Sequence, residues 1–164
     1  MRQTTRFLLV ALALLAAVPA LAGPPWLSIE FPANPHDTKT REAFLVVNTY
    51  HHGTPTPMQV RGTAEGIVGG ERRSVALRFS DTERRGSYAL TRQWPTEGQW
   101  VLNIALVQND RPEASALVVL GADGTPAHVS IPTRRDGPWH VPRAHTAAEI
   151  SAALADAAVQ TRGK

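Results

Sequence analysis

Between Gln99 and Gln108 the chain alternates without a break: Trp100, Leu102, Ile104 and Leu106 share one face of an extended strand, and Val101, Asn103, Ala105 and Val107 share the other. A helix would scatter the same side chains around its axis, so this segment reads as a β-strand with one wholly apolar face. Such a strand has to lie on a core, and the rest of the chain must supply other strands to cover it.

The neighbouring segments have that character. Val75, Leu77 and Phe79 alternate with Ser74, Ala76 and Arg78, and Tyr88 and Leu90 alternate with Ser87, Ala89 and Thr91. Burying one face and wetting the other is antiparallel behaviour. Phe44-Leu45-Val46-Val47 is apolar on both sides and is expected to be a central strand. Strands are predicted near 26–31, 42–51, 57–67, 72–79, 87–93, 99–108, 115–120 and 127–132. Gly69-Gly70 and Asp123-Gly124 mark two hairpins, and Gly62 and Gly66 suggest bulges or a bend in the third strand. Thr146 to Glu149 is a capping-box pattern that opens an alanine-rich helix to about Gln160, with Ala147, Ile150, Leu154 and Ala157 as its apolar stripe. That helix is expected to pack on the β-domain; the alternative is a tail that binds a partner. The expected fold is all-β: an antiparallel sandwich of seven or eight strands over 23–142, followed by a short C-terminal helix and tail over 143–164.

The first residues pose a separate question. Arg2 and Arg6 precede an uncharged apolar run from Phe7 to Ala22, interrupted by Pro19 and closing on Ala20-Leu21-Ala22, the small-x-small pattern read by signal peptidase. The run is shorter than the roughly 20 residues needed to span a bilayer. Residues 1–22 are therefore expected to be a cleaved export signal, with Gly23 the mature N-terminus, a periplasmic or secreted location, and no membrane insertion after cleavage.

Export changes how the composition reads. Arg2 and Arg6 are two of the 17 basic residues, so the mature chain carries 15 against 14 acidic ones and is nearly neutral. Three pairs of its remaining arginines, Arg72-Arg73, Arg84-Arg85 and Arg134-Arg135, each stand beside an acidic residue, the others are scattered, and no single element concentrates them. No nucleic-acid partner is expected. Zero cysteines exclude disulfides, thiol catalysis, cysteine metal sites and lipid attachment. The domain must hold by burial alone, which a chain of this size can do because it removes close to 70% of its surface from water on folding.

Motifs that commit to a reaction are missing. There is no G-x-S-x-G elbow, and the serines sit singly, with no histidine at a recognised spacing. Phosphate-cradling loops and dinucleotide fingerprints are also absent, and no cofactor is expected. Tyr50-His51-His52-Gly53 is the one local group of potential ligands. Adjacent residues on a regular strand point to opposite faces, so His51 and His52 could share an ion only where the strand has broken into a loop at Gly53. A third ligand would have to come from elsewhere, with His36 or His140 the candidates.

Gly86-Ser87-Tyr88 leads one strand, Trp94-Pro95 follows, and Gly98-Gln99-Trp100 leads the next. Over residues 26–120 this pattern resembles bacterial exported immunoglobulin-like sandwiches, and among them it is loosely similar to the YtkA-like and FixH-like periplasmic group. The resemblance implies an immunoglobulin-like fold with Tyr88 and Trp100 in its core, and loosely suggests metal handling or assembly of envelope complexes. The chain departs from copper-handling members: its mature part has one methionine, Met58, and it starts Gly23-Pro24-Pro25, where proline has no amide proton to lose. The expected function is a non-enzymatic exported module that binds a protein partner or supports an envelope complex. The alternative is a periplasmic divalent-metal-binding accessory protein that uses the histidine loop.

Overall fold

The computed structural model describes residues 23–162, so the expected export signal at 1–22 lies outside the described residues. The described chain is mostly β, with antiparallel sheets and one C-terminal helix. The order is β1 (Trp26–Glu30), β2 (Leu45–His51), β3 (Thr54–Pro55), β4 (Gln59–Val68), β5 (Glu71–Leu77), β6 (Ser80–Asp81), β7 (Ser87–Leu90), β8 (Gln99–Gln108), β9 (Arg111–Leu120), β10 (Pro126–Ser130), β11 (Thr133–Asp136), β12 (Trp139–Pro142) and α1 (Ala147–Arg162). One five-stranded sheet runs β1-β2-β7-β6 with β3 attached to β2, a second runs β10-β9-β8-β4-β5, and β11 and β12 form a separate pair.

The alternation that identifies β8 also sets the core. Trp100, Leu102, Ile104 and Leu106 are buried in one cluster with Ala114, Ala116, Val118 and Leu120 of β9, and with Leu27, Leu45, Val47 and Leu90 from the other sheet. Inner faces of both sheets thus contribute to one apolar interior. β2 is flanked by β1 and β7, and Leu45, Val46 and Val47 are all fully buried, as the two-sided apolar run predicts. Tyr88 packs against this core while its hydroxyl accepts the Met58 N–H at 3.0 Å. Trp100 donates its ring N–H to the Glu97 carbonyl at 2.9 Å, so its polar edge is satisfied inside the fold.

Several local readings are corrected. Twelve described strands replace the expected seven or eight, because β3 and β6 have two residues each and β11 and β12 bury only Val141, so none shows an apolar alternation. The register of β4 runs without a shift against both β5 and β8, so Gly62 and Gly66 are not bulges. They make room instead: a Cβ on Gly66 would sit 2.4 Å from the Trp100 ring, and one on Gly62 would press on Leu77 and Phe79 at 3.2 Å. The shifts fall between Leu106 and Val107 and between Pro126 and His128. β9 begins at Arg111, earlier than predicted, because Asn109 and Asp110, at φ 50° and 59°, make a tight two-residue turn straight out of β8. Pro112 is tolerated there because β10 pairs with β9 only from Leu117 onward, which leaves that stretch at the sheet edge.

β7 stops at Leu90, short of the predicted 93. Beyond it the Gln93 amide takes the place of a strand partner, accepting from the Arg78 N–H at 2.9 Å and donating to the Arg78 carbonyl at 2.7 Å. Trp94 can then turn into the core, edge-on to Phe44 at 5.0 Å, while the Arg92 guanidinium covers both rings.

α1 packs on the outer face of the second sheet. Ile150, Ala153 and Leu154 meet Val101, Leu117, Ile67 and Val119, so β8 is buried on both faces. Ala147, expected in the apolar stripe, is exposed. The capping box forms: the Glu149 N–H donates to Thr146 Oγ1 at 3.2 Å and the Thr146 N–H to Glu149 Oε2 at 2.8 Å.

Candidate functional site

The histidines singled out by sequence are partly brought together. His51 ends β2, and His52 with Gly53, at φ 53° and 72°, forms the two-residue turn into β3. The strand has therefore broken where a shared ion would require it, and the two imidazoles lie edge to face with centroids 4.1 Å apart. His36 is in the connection after β1, where its backbone N–H donates to Asn34 Oδ1 at 3.0 Å. His140 is in β12 opposite Arg135. Among the described residues no group of three or more His, Asp or Glu side chains could hold a metal ion, so neither His36 nor His140 completes a site with His51 and His52.

A second feature had no signal in the sequence beyond an arginine pair and a Gly-Pro. The chain leaves the second sheet at Pro132 and returns at Arg143, whose N–H donates to the Pro132 carbonyl at 2.9 Å. Between these closed ends stands the β11–β12 hairpin, turned at Gly137 with φ 57°. Thr133, Arg134, Arg135, Asp136, Trp139 and His140 are all exposed, and only Val141 is buried. Trp139 is 62% exposed, the most exposed aromatic ring among the described large hydrophobics. Register and alternation put Arg134, Asp136, Trp139 and Val141 on one face, Arg135 and His140 on the other. A hollow of about 530 Å³ lies between the first face and Gly23-Pro24.

The third feature is a serine–histidine contact that no recognised spacing in the sequence announces. His145, just ahead of α1, has Nδ1 2.8 Å from Ser115 Oγ on β9 and Nε2 3.1 Å from Ser130 Oγ at the end of β10. Sequence separations of 30 and 15 residues hide this contact. Proton bookkeeping decides what it can do. The His145 backbone N–H also donates to Ser115 Oγ, at 2.8 Å, and the buried Ser115 hydroxyl is fully satisfied when it gives its own proton to Nδ1. Nε2 then carries the ring proton and donates to Ser130. This tautomer is assigned from the hydrogen-bond network. In this tautomer Nε2 is a donor to Ser130, and the hydroxyl that faces Nδ1, that of Ser115, is only 1% exposed, so the contact clamps the approach to α1 onto β9 and β10. Burial pushes the His145 pKa down; Glu149 opposes that shift and Arg143 adds to it. Arg143 grips Glu149 with two bonds, at 2.8 and 2.5 Å, which holds that carboxyl well below the usual carboxylate range.

No protein-family model, no characterised protein and no solved structure matches this chain. The site therefore has to be interpreted from its own geometry.

Proposed function

We propose that this chain is an exported, non-enzymatic immunoglobulin-like β-sandwich, of the kind the YtkA-like and FixH-like resemblance implies, that docks a protein partner of the cell envelope through the β11–β12 hairpin. The observation that carries this reading is Trp139, an indole 62% exposed on a hairpin that belongs to neither main sheet. Exposed tryptophan beside arginine is costly to leave in water and is enriched where interfaces concentrate their binding energy. The hairpin also leaves both its strands with an open edge, which a partner strand could extend. The Ser115–His145–Ser130 contact, whose Ser115 hydroxyl is buried out of reach of a substrate, supports a binding module over a hydrolase. No described helix is long and apolar enough to cross a membrane.

A photocrosslinking amino acid at position 139, incorporated in the native cell, tests this reading. We expect one discrete envelope adduct, lost when Arg134→Ala, on the same face as Trp139, is added. Adducts no different from those at an exposed control position such as Val159 would remove the hairpin from consideration. Turnover of esters, glycosides or peptides by the purified protein, abolished by His145→Gln, would overturn the non-enzymatic reading.

A further inference from the structure

We propose that signal cleavage completes a divalent-metal site, in which the new α-amino group of Gly23 joins His51 and His52 as the third nitrogen ligand. The inference rests on cleavage after Ala22, part of the proposed export, and goes beyond partner binding. Two imidazoles alone are too few for a tight site, and no third His, Asp or Glu among the described residues supplies the missing donor. The backbone of Gly23 lies against the turn that carries both rings: a Cβ built on it would be 3.9 Å from the His52 Cα, its nearest neighbour outside the adjoining residues.

The local backbone fits this role. His52 is one of three described non-glycine residues at positive φ, and that turn brings its ring beside that of His51. His52 is exposed and His51 half-buried, so an ion can reach both rings from water. Within a longer chain the Gly23 nitrogen is an amide, which does not bind metal without losing its proton. Once freed by cleavage it is an α-amine, a class of group that loses its proton at lower pH than a lysine does. Binding is balanced by proton release: the ammonium gives up one proton as its lone pair bonds the ion, while neutral imidazoles give up none. Pro24 and Pro25 have no amide protons, so the chain cannot wrap the ion in deprotonated amides, and the remaining coordination positions fall to water. An all-nitrogen set of one amine and two imidazoles suits copper(II), nickel(II) or zinc(II) and excludes calcium and magnesium.

The test uses purified protein beginning at Gly23, its N-terminally acetylated form, and His51→Gln/His52→Asn, which keeps a residue tolerant of positive φ in the turn. Copper(II), nickel(II) and zinc are titrated into each by calorimetry, with circular dichroism to confirm that each is folded. We expect acetylation to weaken binding of at least one ion by tenfold or more, the histidine variant to do the same, and acetylation of that variant to add little. Equal affinity for the acetylated and free forms overturns the proposal, because the amine is then not a ligand. Equal affinity for the histidine variant also overturns it, because binding is then adventitious. Mass determination of the protein recovered from cells tests the cleavage site separately, so an error in the export reading can be told apart from an error in the site.

Discussion

At the residue scale, Trp100 and Gly66 are two halves of one decision. The indole is 2% exposed and its ring occupies the space a side chain at position 66 would need. Trp100→Ala is expected to cost about 3 to 5 kcal/mol, as removal of a buried large aromatic does. Gly66→Ala should also destabilise, by about 1 to 3 kcal/mol, because the core must shift to admit the methyl group. Urea unfolding measures both; a loss under about 1 kcal/mol for Trp100→Ala would mean that the buried face of β8 is misassigned. His145 carries the pH dependence. Burial lowers its pKa in the folded state, so the unfolded chain binds the proton more readily. Stability is then greatest above the unfolded histidine value near 6.5 and falls as pH drops through the lowered folded value. Denaturant midpoints measured between pH 8 and 5 should decline for the native chain, and the decline should be shallower for His145→Gln.

At the scale of elements, the hairpin and α1 differ in what holds them. The β11–β12 pair begins and ends at a single hydrogen bond between Pro132 and Arg143 and buries only Val141. Replacing residues 133–142 with a short glycine-containing turn should leave the fold intact and cost about 1 to 3 kcal/mol, the value of one buried valine. It should abolish the crosslink predicted at position 139. α1 is anchored by Ile150, Ala153 and Leu154 on the second sheet and by the Arg143–Glu149 pair at its start. Leu154→Ala is expected to cost about 2 to 5 kcal/mol and to raise amide exchange along α1 first. Glu149 is held in its ionised form, so its contribution is present above the ordinary carboxylate range and is lost as pH falls below it.

On the scale of the whole molecule, two five-stranded sheets close on one core without a disulfide, and the helix forms a third layer on one of them. Far-ultraviolet circular dichroism of the chain from Gly23 should be dominated by β-structure with a minor helical component. A helix-dominated spectrum would refute the fold.

What the sequence determined by itself is whatever follows from local period and local backbone chemistry. The eight strands of the two main sheets that have four residues or more, the Gly69-Gly70 and Asp123-Gly124 turns, the capping box at Thr146 and Glu149, and the burial of Trp100 were legible because each depends on residues near one another in the chain. β3 and β6 were not, since two residues carry no period, nor were β11 and β12, which bury only Val141 and so show no apolar alternation. Gly62 and Gly66 were misread because a glycine that makes room for a ring on the neighbouring strand looks, in sequence, like one that bends its own. Only the tertiary structure decided that His145 bridges Ser115 and Ser130 and that Gly23 lies against His52. Those are meetings of residues 15 or more positions apart, set by which strands pair and at which register, and the spacing of side chains along a single strand carries no record of its neighbours.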